Sequence, residues 1–319
     1  MQFTMNSTRD TAEVDALDME YRVSRMKSVA SAWNLKLVGP LIAEYKIPEE
    51  TLDEFQSLLQ IYVLRCLLGK FSMRIFQDFD DIDVDTLRGC RTNVTPNGAL
   101  VPKTEYQLMY NLLLMKWFDI YKGMISADPS FVRLVRVTPN IRLKFGRELE
   151  DNKNRGLNTE YPHSDAWVEG PWGYNVFVPM LGDCMNNTLR YYKIPESGLA
   201  KNFFDQSKTY TTKQELVSSF VEMEDFIPKK GHIYISDYAV VHKTWRSENS
   251  KGRVSIDTTL MVGNHPVHPD REVEYLDKVP IIGEESLFKV AVGEKNGFVP
   301  TKKTDFSHYT TGNINLINI

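Results

Sequence analysis

Several features that place a protein outside the cell, in a membrane or on nucleic acid are missing from this chain. Its 319 residues include three cysteines, Cys66, Cys90 and Cys184, an odd number with no CxxC pair. That argues against a disulfide framework or a structural zinc site and fits a reducing compartment. Clustered Lys/Arg is also lacking and the net charge is −4, so a surface that neutralises phosphates is not expected. Long apolar runs are absent: Arg65 interrupts one candidate, and Lys116 and Asp119 another, so no segment is expected to span a bilayer. Residues 1–15 carry early acidic side chains and no apolar h-region, unlike a signal peptide. No internal repeat or low-complexity tract stands out. The expectation is a cytoplasmic protein with no nucleic-acid or membrane partner. Its oligomeric state is left open.

What is present is ordinary for a globular chain, with 42% hydrophobic and 25% charged residues. The length allows one large core with extensions or two modest domains. Val14, Leu17, Tyr21, Ala30 and Trp33 recur at a spacing that predicts a helix over 11–33. Thr51-Leu52-Asp53-Glu54 has the form of a capping box. It precedes a stripe of Phe55, Leu59, Tyr62, Val63 and Cys66, which predicts a helix to about Leu68. A third helix, Thr104 to Lys122, is apolar on most faces and is expected to be buried. Between the second and third lie Asp78, Asp80, Asp81, Asp83 and Asp85. Counted from Asp81, the sixth and twelfth positions are Thr86 and Thr92, where a calcium loop needs Gly and Glu. A solvated helix start or turn is expected instead.

Near residue 130 the period changes to two. Strands are predicted over Phe131–Val137, Ile141–Phe145, Tyr174–Met180, Thr188–Ile194, His232–Ile235 and Arg253–Val262, with an inserted helix over Gln214–Glu222. Many short strands without alternating helices predict an antiparallel sandwich or jelly roll. The expected organisation is a helical region 1–128 packed on a β core 129–264, followed by an extension 265–319.

The chemistry centres on His163-Ser164-Asp165. An HxD triplet alone is weak, but His242 follows a strand-like run, Gly231 to Val241, and Arg253 opens Arg253-Val254-Ser255 eleven residues later. Two imidazoles and one carboxylate on one face of a metal, with open positions opposite, suit a non-haem iron(II) oxygenase. His163, Asp165 and His242 are therefore the candidate metal-ligating and catalytic residues. Each remaining histidine (His232 at a strand start, His265 and His268 in a Pro-rich turn, His308 in a polar tail) is read as an ordinary surface or hydrogen-bonded residue.

With these residues in view, the chain resembles the iron(II)/2-oxoglutarate-dependent oxygenases, of the phytanoyl-CoA dioxygenase-like and antibiotic-biosynthesis type. The resemblance rests on His163-x-Asp165, on Gly231…His242, on Arg253-x-Ser255 and on the run Asn187 to Ser197, and covers about 130–263. It departs at Glu196-Ser197-Gly198, where the family has Gly-Ser-His. The resemblance implies a mainly β fold with a helical N-terminal part: a double-stranded β-helix (jelly-roll, cupin-like) core flanked by α-helices. It also implies Fe(II), 2-oxoglutarate and O2, with 2-oxoglutarate going to succinate and CO2 while a small polar metabolite or natural-product intermediate is oxidised, by default through hydroxylation. Arg253 would take the distal carboxylate of 2-oxoglutarate in a bidentate fork, with Ser255 adding a hydroxyl. Asp165 tells against a halogenase, in which a small residue replaces the carboxylate.

Around this centre Trp167, Trp172 and Tyr174 either wall a substrate pocket or plug the barrel. Asn175 is a candidate donor to the co-substrate. Trp245 and Arg246 are candidates for facing a polar substrate, whereas Arg142, Lys144 and Arg147 read as a solvated strand edge. Two other readings stay open. One is a cupin-like isomerase or lyase using the metal as a Lewis acid, which has no use for Arg253-x-Ser255. The other is a non-enzymatic barrel-containing binding protein, which has no use for an intact triad.

Overall fold

The alternating strands after residue 130 have to bury one face, and in the computed structural model those up to Val262 do so in two antiparallel sheets, while Lys289–Val292 and Asn315–Asn318 pair as a separate antiparallel ribbon. The structure describes residues 15–69, 78–90, 93–95, 98–100, 106–128, 132–136, 139–147, 149, 159–205 and 213–262, together with the segments 275–276, 289–292 and 315–318. In chain order the elements are α1 (Met19–Ala32), β1 (Lys36–Gly39), β2 (Ile42–Lys46), α2 (Glu49–Leu68), α3 (Val84–Gly89), α4 (Gln107–Ile125), β3 (Val132–Arg136) and β4 (Asn140–Lys144). They continue with α5 (Ala166–Glu169), β5 (Tyr174–Gly182), β6 (Asn187–Lys193), β7 (Val221–Glu222), β8 (His232–Asp237), β9 (His242–Arg246) and β10 (Arg253–Val262).

The pairing is nested. Strand β4 pairs with β10, His163 bridges to His242 of β9, β5 pairs with β8, and β6 pairs with β7, all antiparallel. First thus meets last and each inner pair closes inside the outer one, which is how a jelly roll is wound. The lateral pairs β10–β5 and β9–β6 join the nested pairs into two sheets. The larger runs β1-β2-β8-β5-β10-β3 and then the two-residue strand Tyr275–Leu276, with β4 also on β10, and the smaller runs β7-β6-β9. Neither sheet closes on itself. Phe226 packs between Tyr191 of the small sheet and Tyr234 of the large one, with ring centroids 5.6 and 5.5 Å away, which holds the two inner faces together.

On the outer face of the large sheet, Val176, Val178, Ile233, Ile235, Val254 and Ile256 are fully buried. Strand β5 is buried almost throughout, which is why it reads as a continuous apolar run rather than an alternating one. Helix α2 lies against β5, Gln56 donating to the Met180 carbonyl at 2.7 Å. It packs on α4 through Phe55–Trp117 and Tyr62–Tyr110.

Several expectations need correction. Helix α2 starts at Glu49 with Pro48 at its N-cap and no side-chain cap, so Thr51 lies inside the first turn. Proline's fixed φ and the paired Glu49 and Glu50 at the positive end of the helix start it without the capping box. The helical first third also contributes β1 and β2, which extend the large sheet beyond β8. Gln214–Glu222 is a 3-10 turn and a short strand rather than a helix. The acidic stretch is a turn and helix start as expected, Asp83 accepting from the Thr86 amide at 2.8 Å. His265, His268, His308 and most of the 265–319 extension lie outside the described residues.

The corner between β5 and β10 depends on glycine. Gly182 has φ +77°, and a Cβ there would stand 2.2 Å from the Gly252 carbonyl oxygen. Backbone cannot swing aside as a side chain can. Gly182→Ala is expected to lower stability in urea unfolding by about 1–3 kcal/mol or more. Gly89→Ala, in α3 with nothing within 4 Å of its new methyl, should be neutral or stabilising by up to about 1 kcal/mol.

Candidate metal centre

Strand β8 ends at Asp237, a short turn crosses from one sheet to the other, and His242 opens β9. The expected continuous run from Gly231 to Val241 is therefore broken at the crossing, and His242 begins a strand rather than ending one. The break is what carries it to the small sheet. There His163 and His242 exchange backbone hydrogen bonds at 2.9 and 2.8 Å, an isolated bridge that brings their rings to a 4.5 Å centroid separation. Asp165 is not at a strand end but at the N-cap of α5. Ser164, between the two, donates to the Tyr238 carbonyl at 2.6 Å and pins the triplet to the crossing turn.

One ligand atom from each of His163, Asp165 and His242 lies within 4.8 Å of the others, a group that could hold a metal ion. Each histidine sets its Nδ1 against a backbone carbonyl, His163 on Tyr161 at 2.9 Å and His242 on Val240 at 3.4 Å. This outer contact fixes the tautomer and leaves Nε2 for a metal. Desolvation, and then the neighbouring His242, hold the His163 pKa well below the usual 6.5. Near neutral pH it is therefore an uncharged imidazole, the form that binds a cation. Asn175 donates to Asp165 Oδ2. Its place on the inner face, in register with Thr259 on the Arg253 side of β10, sets it against the Asp165 carboxylate and so orients that group.

Along β10 the side chains of Arg253, Ser255, Asp257 and Thr259 share one face, in register with Asn175 and Phe177 of β5. Arg253 is 1% exposed. Its Nη1 donates to the Asn187 carbonyl at 3.2 Å and its guanidinium lies 5.2 Å from the Phe177 ring centroid. Nε of Arg253 and Oγ of Ser255 have no hydrogen-bond partner among the described residues. Asp257, the acid on the same face, is already held by Arg142 in a bidentate pair at 2.7 and 2.8 Å. Burial lowers the Arg253 pKa to about 10, so it remains a cation at neutral pH. A buried cation with no counter-ion is costly, and an incoming carboxylate fits the requirement.

Two more residues act on these parts: Tyr191, not singled out from sequence, and Lys144, expected from sequence at a strand edge. Tyr191 is buried, its ring 6.1 Å from that of His242, and both Asp165 and Arg253 act electrostatically on its hydroxyl. Lys144 is the register partner of Arg253 on β4 and its charge acts on His163. Arg142 and Lys144 therefore face the interior, contrary to the solvated edge expected of them. The clue was their even spacing on a strand ending in the same register as Arg253. Arg147 is the half-exposed member of the three, with Glu160 at 3.6 Å.

The remaining pocket candidates divide. Trp167 is buried on α5 beside Asp165. Trp172 lies away from the centre, edge-on to Tyr21 at 5.9 Å and under Arg22 at 4.5 Å. Tyr174, one residue from Asn175 and hence on the opposite face, is under Arg25 at 4.6 Å. Both are packing residues for α1. Trp245 is three residues from His242, so it points to the other side of β9, where Arg190 covers it at 4.3 Å. Arg246 shares the His242 face but is taken up by Glu160 and by the Phe145 carbonyl at 3.2 Å.

No protein-family model and no curated protein matches the chain. Among solved structures it is similar to AviO1 from Streptomyces viridochromogenes Tue57, at 13% identity over 80% of this chain and 100% of that one, with a TM-score of 0.39. It is also similar to SnoK, a non-haem alpha-ketoglutarate-dependent carbocyclase from nogalamycin biosynthesis (10% identity, 81% and 94% coverage, TM-score 0.38). A third is an N-substituted L-amino acid dioxygenase from Burkholderia ambifaria AMMD, in complex with alpha-KG (8% identity, 77% and 90% coverage, TM-score 0.34). Among the described residues, no helix is long and apolar enough to cross a membrane.

Proposed function

We propose that the chain is an Fe(II)/2-oxoglutarate-dependent oxygenase that oxidises a small polar metabolite, by default through hydroxylation. One observation carries this reading: a buried guanidinium with no acidic partner, Arg253, on the interior face of the barrel whose end presents His163, Asp165 and His242. His163 and His242 would hold iron through Nε2 and Asp165 through a carboxylate oxygen. When bound, the iron supplies the oxygen chemistry in which 2-oxoglutarate goes to succinate and CO2. The chain's own part is to place the reactants. Arg253 receives the distal carboxylate of 2-oxoglutarate, Ser255 adds a hydroxyl, and Asn175 keeps Asp165 aimed. A Lewis-acid isomerase on the same ligands would leave Arg253 without an anion.

Under anaerobic conditions, Fe(II) and 2-oxoglutarate together should give a weak visible charge-transfer band that neither gives alone. Arg253→Ala should weaken 2-oxoglutarate on the order of 100-fold, as expected for truncating one partner of a buried charge pair, while Fe(II) affinity stays unchanged. A wild-type protein with no band, and no succinate formed in air, would sink the oxygenase reading. Unchanged 2-oxoglutarate affinity in Arg253→Ala would sink the assignment of that residue.

A further inference from the structure

Another buried cation lies beside the elements that carry the candidate metal ligands. Lys213 stands just ahead of the 3-10 turn Glu215–Val217. It is 1% exposed, and its Nζ has no hydrogen-bond partner among the described residues. The ammonium lies 5.4 Å from the centroid of the Trp167 ring. Asp205 acts on it through space, with no ion pair between them among the described residues, and desolvation lowers the lysine's pKa. An indole face offsets only part of the cost of removing an ammonium from water. Among the described residues no hydrogen-bond acceptor meets the rest.

The position of this cation matters as much as its isolation. Gln214, the next residue, donates through Nε2 to the Pro162 carbonyl at 2.7 Å, immediately before His163. Trp167, under the ammonium, belongs to the helical turn whose N-cap is Asp165, and it rests edge-on against Phe203 at 5.8 Å. Lys213 is therefore tied on one side to the segment carrying a metal-ligating imidazole and on the other to the turn carrying the ligating carboxylate. Arg253 belongs instead to the large sheet and has its own ligand in the reading above.

We propose that Lys213 binds an anionic group of the substrate, a carboxylate or a phosphate, so that the molecule oxidised is an acid held against the Trp167 face. The proposal rests on the oxygenase reading and adds the substrate class to it. The anion would complete the ammonium's hydrogen bonds, the indole would support the adjoining carbon framework, and the bond to be oxidised would be held near the open side of the metal ligands. Neutral analogues would lack the partner that Lys213 needs.

The test uses full-length protein loaded anaerobically with Fe(II) and 2-oxoglutarate. Probes are offered in pairs: amino acids, hydroxy acids and sugar acids beside their primary amides, and sugar phosphates beside the free sugars. Binding is read by tryptophan fluorescence, with the visible band reporting separately on the co-substrate. In at least one pair, the acid should bind about tenfold or more tightly than its neutral counterpart, the scale of one charge-assisted hydrogen bond. Lys213→Met should lose about the same factor for the acid, whereas Lys213→Arg should retain the affinity within roughly threefold. Neither variant should alter 2-oxoglutarate affinity. The favoured member, carboxylate or phosphate, identifies which anion the site takes. If Lys213→Met does not fold, judged by its thermal midpoint, Lys213→Gln takes its place. The proposal is overturned if acids and neutral partners bind alike, if removing the ammonium leaves acid affinity unchanged, or if no acid in the panel binds. Failure of the wild-type protein to form the band overturns the oxygenase reading. A normal band with binding indifferent to residue 213 overturns the anion site alone.

Discussion

Replacing His242 by alanine is expected to remove the stabilisation that Fe(II) gives the wild-type protein. A ligand that binds only the folded state raises its stability by about 2.7 kcal/mol when present at 100 times its Kd. Three ligand atoms within 4.8 Å of one another make that a reasonable scale for this centre. Loss of an outer hydrogen-bonding partner typically costs 10- to 100-fold in metal affinity, and loss of a ligand should cost more than about 100-fold. At the same metal concentration the variant would then gain less than roughly 0.5 kcal/mol, and its thermal midpoint should hardly move with Fe(II). Without metal, the difference between wild type and variant should be modest, because the hydrogen bond lost with the His242 side chain is the long contact to Val240 at 3.4 Å. Asn175→Ala, which removes only the partner of Asp165, should fall between the two. A His242→Ala protein whose midpoint rises with Fe(II) as much as wild type would show that the metal is held elsewhere.

The second large effect concerns stability rather than chemistry. Arg22 of α1 is fully buried, with Nη1 on Asp237 Oδ1 at 2.5 Å, Nη2 on the Pro171 carbonyl at 2.8 Å and Nε on the Ala16 carbonyl at 2.7 Å. Its guanidinium lies between Trp172 and Phe204 at 4.5 and 4.7 Å. Desolvation lowers its pKa although Asp237 opposes the shift. Arg22→Met should destabilise by about 3–5 kcal/mol, since it leaves a buried carboxylate short of its partner. Arg25 is 3.7 Å from the other oxygen of Asp237 and compensates only in part. The double variant Arg22→Met, Asp237→Asn should recover some of the loss by removing the stranded charge. Asp237 also accepts from the Ala239 amide at 2.8 Å, in the turn leading to His242, so Arg22→Met should weaken Fe(II) binding as well. Urea unfolding and metal titration check the two parts separately. A loss below about 1 kcal/mol, the level of an exposed pair, would mean that α1 does not clamp the barrel.

How much of this was visible beforehand depends on the range of the forces involved. Strand β10 runs over the predicted span because Arg253 to Asp257 alternates, Thr258 to Val262 continues it with β-branched and apolar residues, and Gly252 bounds it. The three candidate ligands were legible because metal chemistry restricts residue type and spacing. Orientation was not. Whether Tyr174 or Asn175 faces inward, and whether Trp245 does, turns on a one-residue parity that the sequence shows only once strand ends are known. Partners far along the chain were illegible for a different reason: nothing in Arg22, Tyr21 or Trp172 announces that they will meet. Lys144 and Lys213 look like any surface lysine until tertiary packing covers them. Strands β1 and β2 were hidden because two short pieces with mixed charge carry little periodic signal.

Strand β10 is hydrogen-bonded along both flanks, to β5 on one side and to β4 and then β3 on the other. Arg253 and Ser255 are built into it, whereas Trp167 and Lys213 stand on a four-residue helix and beside a 3-10 turn. Random substitution will therefore fall unequally on the two ends of the barrel. A change at the strand disturbs a hydrogen-bonded neighbour on either side, whereas the turns are held mainly by side-chain packing, Trp167 on Phe203. On the proposed oxygenase reading, a library built to redirect the substrate belongs at Trp167 and Lys213 rather than along β10.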